Sequence, residues 1–286
     1  MLLPDPSDFQ IPDLRFVPVD RLIPHEREDS RRTGALAERF RESGILKNPP
    51  IVTPAGGDSR DERFVVLDGA NRVATAAAAG LPHLVVQVVP YTEPQVRLST
   101  WHHALAEDRP GVLTRALSGI PDLEIRSEAL GHARALLARR DAIAFVVHDD
   151  GSVQTLHGGT DLGRRNTLLN AVVDLYRGHH PYHRVTRDSI QEARERYDDV
   201  TSLVVFPHFH PEEILEIARS GARVPAGITR HVIAWRALRI NLPLERMADP
   251  GQTSEEKNAW LQSWVAERVA RNQVRFYEES TVSFDE

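Results

Sequence analysis

The chain has 286 residues, 41% of them hydrophobic and 27% charged, with a formal net charge of −6. That balance excludes a disordered chain, and the acidic excess argues against a protein whose main task is to hold nucleic acid, which usually presents a basic face. There is no Cys, which excludes disulfides, thiolate metal sites and thiol nucleophiles. The opening segment shows no basic stretch leading into an apolar one. The longest uncharged run, residues 73–92, is broken by Gly80, Pro82, His83, Gln87 and Pro90. It reads as helix, turn and strand rather than a membrane span, and the expectation is a cytoplasmic protein without a membrane partner.

In chain order, residues 16–19 predict a short strand leading into a loop from Leu22. Thr33 caps a helix that runs to Ser43, with Leu36 and Phe40 on one face and Gly44 as the stop. Strands are expected at 51–53 and 64–67, joined by a polar hairpin loop over 55–62. Asp68 to Arg72 turns into an Ala-rich helix over 73–79, closed by Gly80, and further strands follow at 84–89 and 96–101. Residues 108–111 read as a linker, giving two expected domains, 1–106 and 107–286. In the second, strands are expected at 142–148, 202–206 and 230–238. Helices are expected at 162–176, 189–197, 211–219 and 254–278, the last with Leu261, Trp264, Val265 and Val269 on one stripe.

Four features carry chemistry. At Asp68-Gly-Ala-Asn-Arg72 a strand ends in a carboxylate and a glycine, and a helix begins. The first-turn N–H groups from Gly69, Ala70 and Asn71, with the Arg72 guanidinium, suit phosphate, and Asp68 suits a metal ion or a hydroxyl. The same residues also fit a plain capped turn. The loop Leu22-Ile-Pro-His-Glu26 is followed, one helix later, by Gly44-Ile-Leu-Lys-Asn-Pro-Pro50-Ile-Val. Trp101-His-His103 closes a strand and fits either a pocket or an interfacial Trp with two solvent-facing His. Val224-Pro-Ala-Gly-Ile-Thr229-Arg230-His231 offers a hydroxyl, a guanidinium and an imidazole together. The clusters His179, His180, His183 and His208, His210 lack ligand spacing and read as solvated loop residues. Arg139-Arg140-Asp141 reads as a helix end with its charges in water.

The order L-x-P-H-E, a helix ending in S-G, P-P-I-V, a strand and D-G-x-x-R over residues 12–103 resembles the ParB/sulfiredoxin superfamily. Its wording is closest to the free L-serine kinase branch; sulfiredoxin chemistry is excluded because it needs a cysteine. The resemblance implies an α+β or α/β fold: a ParB/sulfiredoxin-like N-terminal domain with a small mixed sheet, and a second α/β domain closing over the cleft. It implies phosphoryl transfer from ATP or ADP to the hydroxyl of free L-serine, giving O-phospho-L-serine, with Mg²⁺. Glu26 and Asp68 would be catalytic, Asp68 also holding the metal. Gly69, Ala70, Asn71 and Arg72 would bind the nucleotide phosphates. Ser43, Trp101, His103, Thr229, Arg230 and His231 would bind the substrate. Asn71 stands where the family often has His; it donates a hydrogen bond but carries no charge. Two alternatives remain at this point: a ParB-like nucleotide-dependent DNA-binding regulator, disfavoured by the acidic balance and the absence of a recognisable helix-turn-helix, and a ligand-binding homologue without turnover.

Overall fold

The computed structural model describes residues 11–27, 42–56, 62–106, 111–178 and 180–277. The helix expected after Thr33 lies outside these, apart from a helical turn at Glu42 and Ser43, as do the 108–110 part of the expected linker and His179. In chain order the strands are β1 (Asp13–Pro18), β2 (Leu22–Pro24), β3 (Ile45–Leu46), β4 (Ile51–Pro54) and β5 (Phe64–Asp68). Helix α1 (Ala70–Ala78) precedes β6 (His83–Val88), β7 (Val96–Thr100) and β8 (His102–Leu105). Then come α2 (Val112–Leu117), β9 (Glu124–Ser127), α3 (Leu130–Ala138), β10 (Ala144–His148), β11 (Val153–His157) and α4 (Leu162–Asp174). The chain continues through β12 (Tyr182–Val185), α5 (Ile190–Arg196), β13 (Ser202–Val205), α6 (Pro211–Arg219) and β14 (Thr229–Ile233), and ends with β15 (Leu242–Pro243), α7 (Glu245–Ala248) and α8 (Ser254–Ala270).

These elements form two compact units. One comprises residues 1–23, 30–96 and 233–286, the other 24–29 and 97–232. The first unit holds a five-stranded sheet in the order β1-β6-β4-β5-β2. It is mixed: β4 runs parallel to β6 and antiparallel to β5, and β1 is antiparallel to β6. Phe64, Val65, Val66 and Leu67 are all buried, which is why β5 reads as an unbroken apolar run rather than an alternating one. Helix α1 starts immediately after β5 because Gly69 takes φ +93, a left-handed conformation that a side chain resists.

The unit boundaries differ from the expected split at residue 106. The C-terminal segment packs with the first sheet: Ile240, Leu242, Met247 and Leu261 share a core with Phe16, Val52, Leu84 and Val86. Strand β1 lies at the sheet edge, and Asn258 of α8 completes it. Its amide oxygen accepts from Phe16 N–H at 2.7 Å and its amide nitrogen donates to Phe16 C=O at 3.1 Å. An edge strand satisfied in this way has fewer free groups to template another strand. Of the expected stripe, Leu261 is buried and Trp264 and Val265 pack on the core, but Val269 is exposed. The helix ends at Ala270, not 278, where Asn272 at φ 54 breaks it.

The second unit is built on a six-stranded sheet, β12-β8-β13-β10-β11-β9, in which every neighbouring pair is antiparallel. The class is therefore α+β. Helix α4 is capped by Asp161, whose side chain accepts from Arg164 N–H, and α6 by a capping box between His210 and Glu213. A two-stranded ribbon pairs β14 with β7. The strand expected over 230–238 stops at Ile233.

Candidate functional site

The second unit holds half of the expected residues. Val224 N–H donates to His25 C=O at 2.8 Å and Arg27 N–H donates to Val224 C=O at 3.1 Å, so the Glu26 segment runs beside the 224–229 loop as a short parallel bridge. This puts the Glu26 carboxylate under the backbone of that loop. Its Oε2 accepts from Gly227 N–H at 3.2 Å and its Oε1 from Thr229 N–H at 3.2 Å. The Thr229 hydroxyl also donates to Oε1. Because the only proton of that hydroxyl is used there, His25 Nε2, 2.8 Å away, must be the donor to Thr229 Oγ1. Burial pushes the Glu26 carboxyl up, but the nearby His25 imidazole, the Thr229 hydroxyl and the Gly227 N–H together outweigh it and hold the pKa at about 2. Glu26 is thus a pre-ionised, partly buried carboxylate, with its side chain 20% exposed.

Around it, Trp101 N–H donates to Ile228 C=O at 2.9 Å, fixing the indole beside the loop. The Arg230 guanidinium lies over that indole, 4.8 Å from its centroid. The His231 ring meets the His25 ring edge-on at 5.0 Å. Glu26, Trp101, Thr229, Arg230 and His231 therefore form one cluster.

His103 belongs to the same neighbourhood but in a different role from the one expected. It is 0% exposed. Gly227 C=O lies 3.1 Å from its Nε2 and the Tyr176 hydroxyl 2.7 Å from its Nδ1. With both ring nitrogens engaged inside the protein, it is not placed to touch a substrate. Burial holds its pKa down to about 3, so it is neutral. His102 is also buried, its Nδ1 accepting from Phe206 N–H at 3.2 Å, and burial lowers its pKa to about 4. Neither is the solvent-facing His that the sequence also allowed.

The first unit holds the other group. The Arg72 Nη2 and Arg236 Nη1 atoms both donate to Asp68 Oδ2, at 3.1 and 2.9 Å. The Arg72 guanidinium lies against Gly69, where a Cβ would come within 2.8 Å of Nη2. Only a glycine allows this approach. Arg72 Nε is buried with no acceptor among the described residues, so this guanidinium has a donor left to satisfy. Ala70 and Asn71 open α1, at the positive end of its dipole. Ser43 lies in the same unit, exposed, with its hydroxyl accepting from Ile45 N–H at 3.4 Å. Its neighbour Gly44, at φ 62, follows the helical turn of Glu42 and Ser43. Among the described residues no group of three or more His, Asp or Glu side chains has metal-binding geometry. Two groups expected to sit in water are engaged instead. Arg140 bonds Glu213 at 2.7 Å and lies 5.7 Å from the Phe209 centroid, and His183 stacks on Tyr197 at 3.7 Å.

Four residues with parts in these clusters were given no role by the sequence: His25, Tyr176, Gly227 and Arg236. For His25, Gly227 and Arg236 the signal lies inside or just after the P-H-E and P-A-G-I-T-R-H strings. For Tyr176 there is no local signal, because its partner is 73 residues away.

No protein-family model matches the sequence. The chain is 25% identical over 261 residues to the ATP-dependent L-serine kinase SbnI of Staphylococcus aureus, covering 90% of this chain and 92% of that protein. It is 24% identical over 239 residues to the ADP-dependent L-serine kinase SerK of Thermococcus kodakarensis, covering 82% and 93%. A solved free serine kinase in complex with AMP superposes with a TM-score of 0.70 at 19% identity, over 84% of this chain and 97% of that one. The chain has the fold of the free serine kinases and is similar, along most of its length, to curated L-serine kinases.

Proposed function

We propose that this chain is a nucleotide-dependent kinase of free L-serine, transferring a phosphoryl group from ATP or ADP to the serine hydroxyl and releasing O-phospho-L-serine. The observation that carries the reading is the Glu26 carboxylate, kept ionised by Gly227, Thr229 and His25 in the same cluster as the Trp101–Arg230 pair. Phosphoryl transfer passes through a loose transition state in which the protein mainly positions groups and balances charge. A carboxylate with a pKa near 2 is a weak base, so Glu26 serves chiefly to orient the serine hydroxyl and receives its proton late. Arg230, held over the Trp101 ring, and His231 suit the carboxylate of the amino acid. In the first unit, the α1 N-terminus and Arg72 suit nucleotide phosphates, and the unsatisfied Arg72 Nε supports an anionic ligand there. A single carboxylate, Asp68, fits a Mg²⁺ that keeps its waters and takes its remaining ligands from phosphate. Such an ion would neutralise phosphate charge.

The test is incubation of the purified protein with Mg²⁺, L-serine and either ATP or ADP, with O-phosphoserine read by mass spectrometry. Product that falls at least about 100-fold in Glu26→Ala and is lost in Asp68→Ala supports the reading. Nucleotide binding without phosphoserine from either donor overturns serine as the acceptor.

A further inference from the structure

The 226–229 loop has two sides. Its N–H groups at 227 and 229 point to Glu26, and its carbonyls at 227 and 228 are tied down by His103 and by the Trp101 N–H. A carbonyl can only accept, so His103 must carry its proton on Nε2 in order to bond Gly227 C=O. That leaves Nδ1 as an acceptor, filled by the Tyr176 hydroxyl at 2.7 Å. The 227 carbonyl therefore sets the tautomer, the Tyr176 hydroxyl fills the acceptor that the tautomer leaves and holds the ring in place, and the Gly227 N–H on the other side of the same residue holds the carboxylate. Gly227 takes φ +76 at this point, and an added Cβ would meet the Arg184 guanidinium at 3.0 Å.

The histidine ring is also fixed from its faces and edges. Tyr182, Phe206 and Tyr176 have ring centroids 4.4, 4.9 and 5.7 Å from it. A neutral, dry imidazole among aromatic rings with both nitrogens assigned has one orientation available. This is how a rigid support is built for a group that must stay in register.

We infer that Tyr176 and His103 are positioning residues that act through Gly227 on the Glu26 carboxylate, an inference that rests on reading Glu26 as the carboxylate that orients the acceptor hydroxyl. Neither side chain touches the substrate. Their influence runs along three bonds, Tyr176 O–H to Nδ1, Nε2–H to the 227 carbonyl, and Gly227 N–H to Oε2.

The experiment compares wild type with Tyr176→Phe, His103→Gln and His103→Leu. Tyr176→Phe removes one hydroxyl and leaves the ring. Glutamine can still donate to a carbonyl and accept from a hydroxyl; leucine can do neither. Steady-state kinetics of phosphoserine formation should show kcat falling roughly 10-fold to 100-fold in Tyr176→Phe and His103→Leu. His103→Gln should be partly restored, with the KM for nucleotide unchanged throughout. NMR of protein labelled with ¹⁵N in histidine should find His103 as the Nε2–H tautomer. A ¹³C titration of Glu26 should show its pKa rising in Tyr176→Phe, which a purely structural contact would not cause. An Nδ1–H tautomer in wild type, or an unmoved Glu26 titration in Tyr176→Phe, overturns the inference whether or not serine is the acceptor. Wild-type protein that makes no phosphoserine overturns the kinase reading alone, since the two NMR readouts still decide the positioning role.

Discussion

Replacing Glu26 by glutamine keeps the shape of the side chain and removes its charge, which isolates the electrostatic part of the 227–229 cradle. The carboxyl lies at about 2 in the folded protein against an ordinary value of 4.5. At about 1.4 kcal/mol per pH unit, that gap corresponds to on the order of 3 kcal/mol of stability at neutral pH. A second route gives a similar figure. The glutamine NH₂ cannot accept from Gly227 N–H, and a buried donor left unpaired costs about 1–3 kcal/mol. The sign follows from the direction of the shift. Because folding depresses this pKa, the stabilisation is complete above about 4.5 and is lost as pH falls through about 2. Urea unfolding, followed by hydrogen exchange of peptides covering residues 224–232, should show Glu26→Gln less stable by about 2–4 kcal/mol at pH 7. The difference should narrow at pH 3 and close near pH 2. Equal stability at pH 7, or a difference that does not change with pH, would refute the argument that these donors hold an ionised carboxylate.

Gly69→Ala should destabilise the first unit by about 1–3 kcal/mol, since it forces a side chain to positive φ and against Arg72. It should also weaken ADP binding, and a thermal-shift titration with ADP that matches wild type would count against a role for this turn. Arg230→Met should raise the serine KM about 10-fold or more through loss of a charge-assisted contact, leaving ADP affinity unchanged; the reverse pattern in kinetics and calorimetry would reassign Arg230 to the nucleotide. Lys257 is almost fully buried, its amine donating to Met247 C=O at 3.1 Å and Asp249 C=O at 2.6 Å. Lys257→Ala should cost about 2–4 kcal/mol, with exchange protection lost in the first unit and retained over residues 224–232.

What was legible in the sequence was local. The strand, carboxylate, glycine and helix of residues 64–78 are contiguous, so hydrophobic run, turn chemistry and helix propensity all agree there. Glu26 and Thr229 were found as parts of short strings, but the bonds between them span 203 residues and leave no trace in either string. His102 and His103 misled because a polar pair on a strand suggests an exposed face. The cost of burying an imidazole is met by holding it neutral, and that depends on Tyr176, Gly227 and Phe206 far along the chain. The apolar stripe of α8 was visible, yet an amphipathic helix states only that it must be buried, not against which sheet. Strand β8 was missed because it is histidine-bearing, while helix α3 was read only at its end, Arg139 to Asp141, its body being short and carrying Gly131.

Asn258 closing the edge of β1 has a consequence for the order in which the chain matures. Synthesis proceeds from the N-terminus, and domains generally acquire structure as units during it. Residues 24–29 and 97–232 are all made before residue 233. The unit containing Glu26 therefore has its full complement of residues while the nascent chain still lacks the last fifty or so. The unit containing Asp68 begins first and finishes last: strand β1 waits about 240 residues for the side chain that completes it. A ribosome stalled before α8 would display a finished insert inside an unfinished host, with an unpaired sheet edge open to whatever strand or chaperone reaches it first.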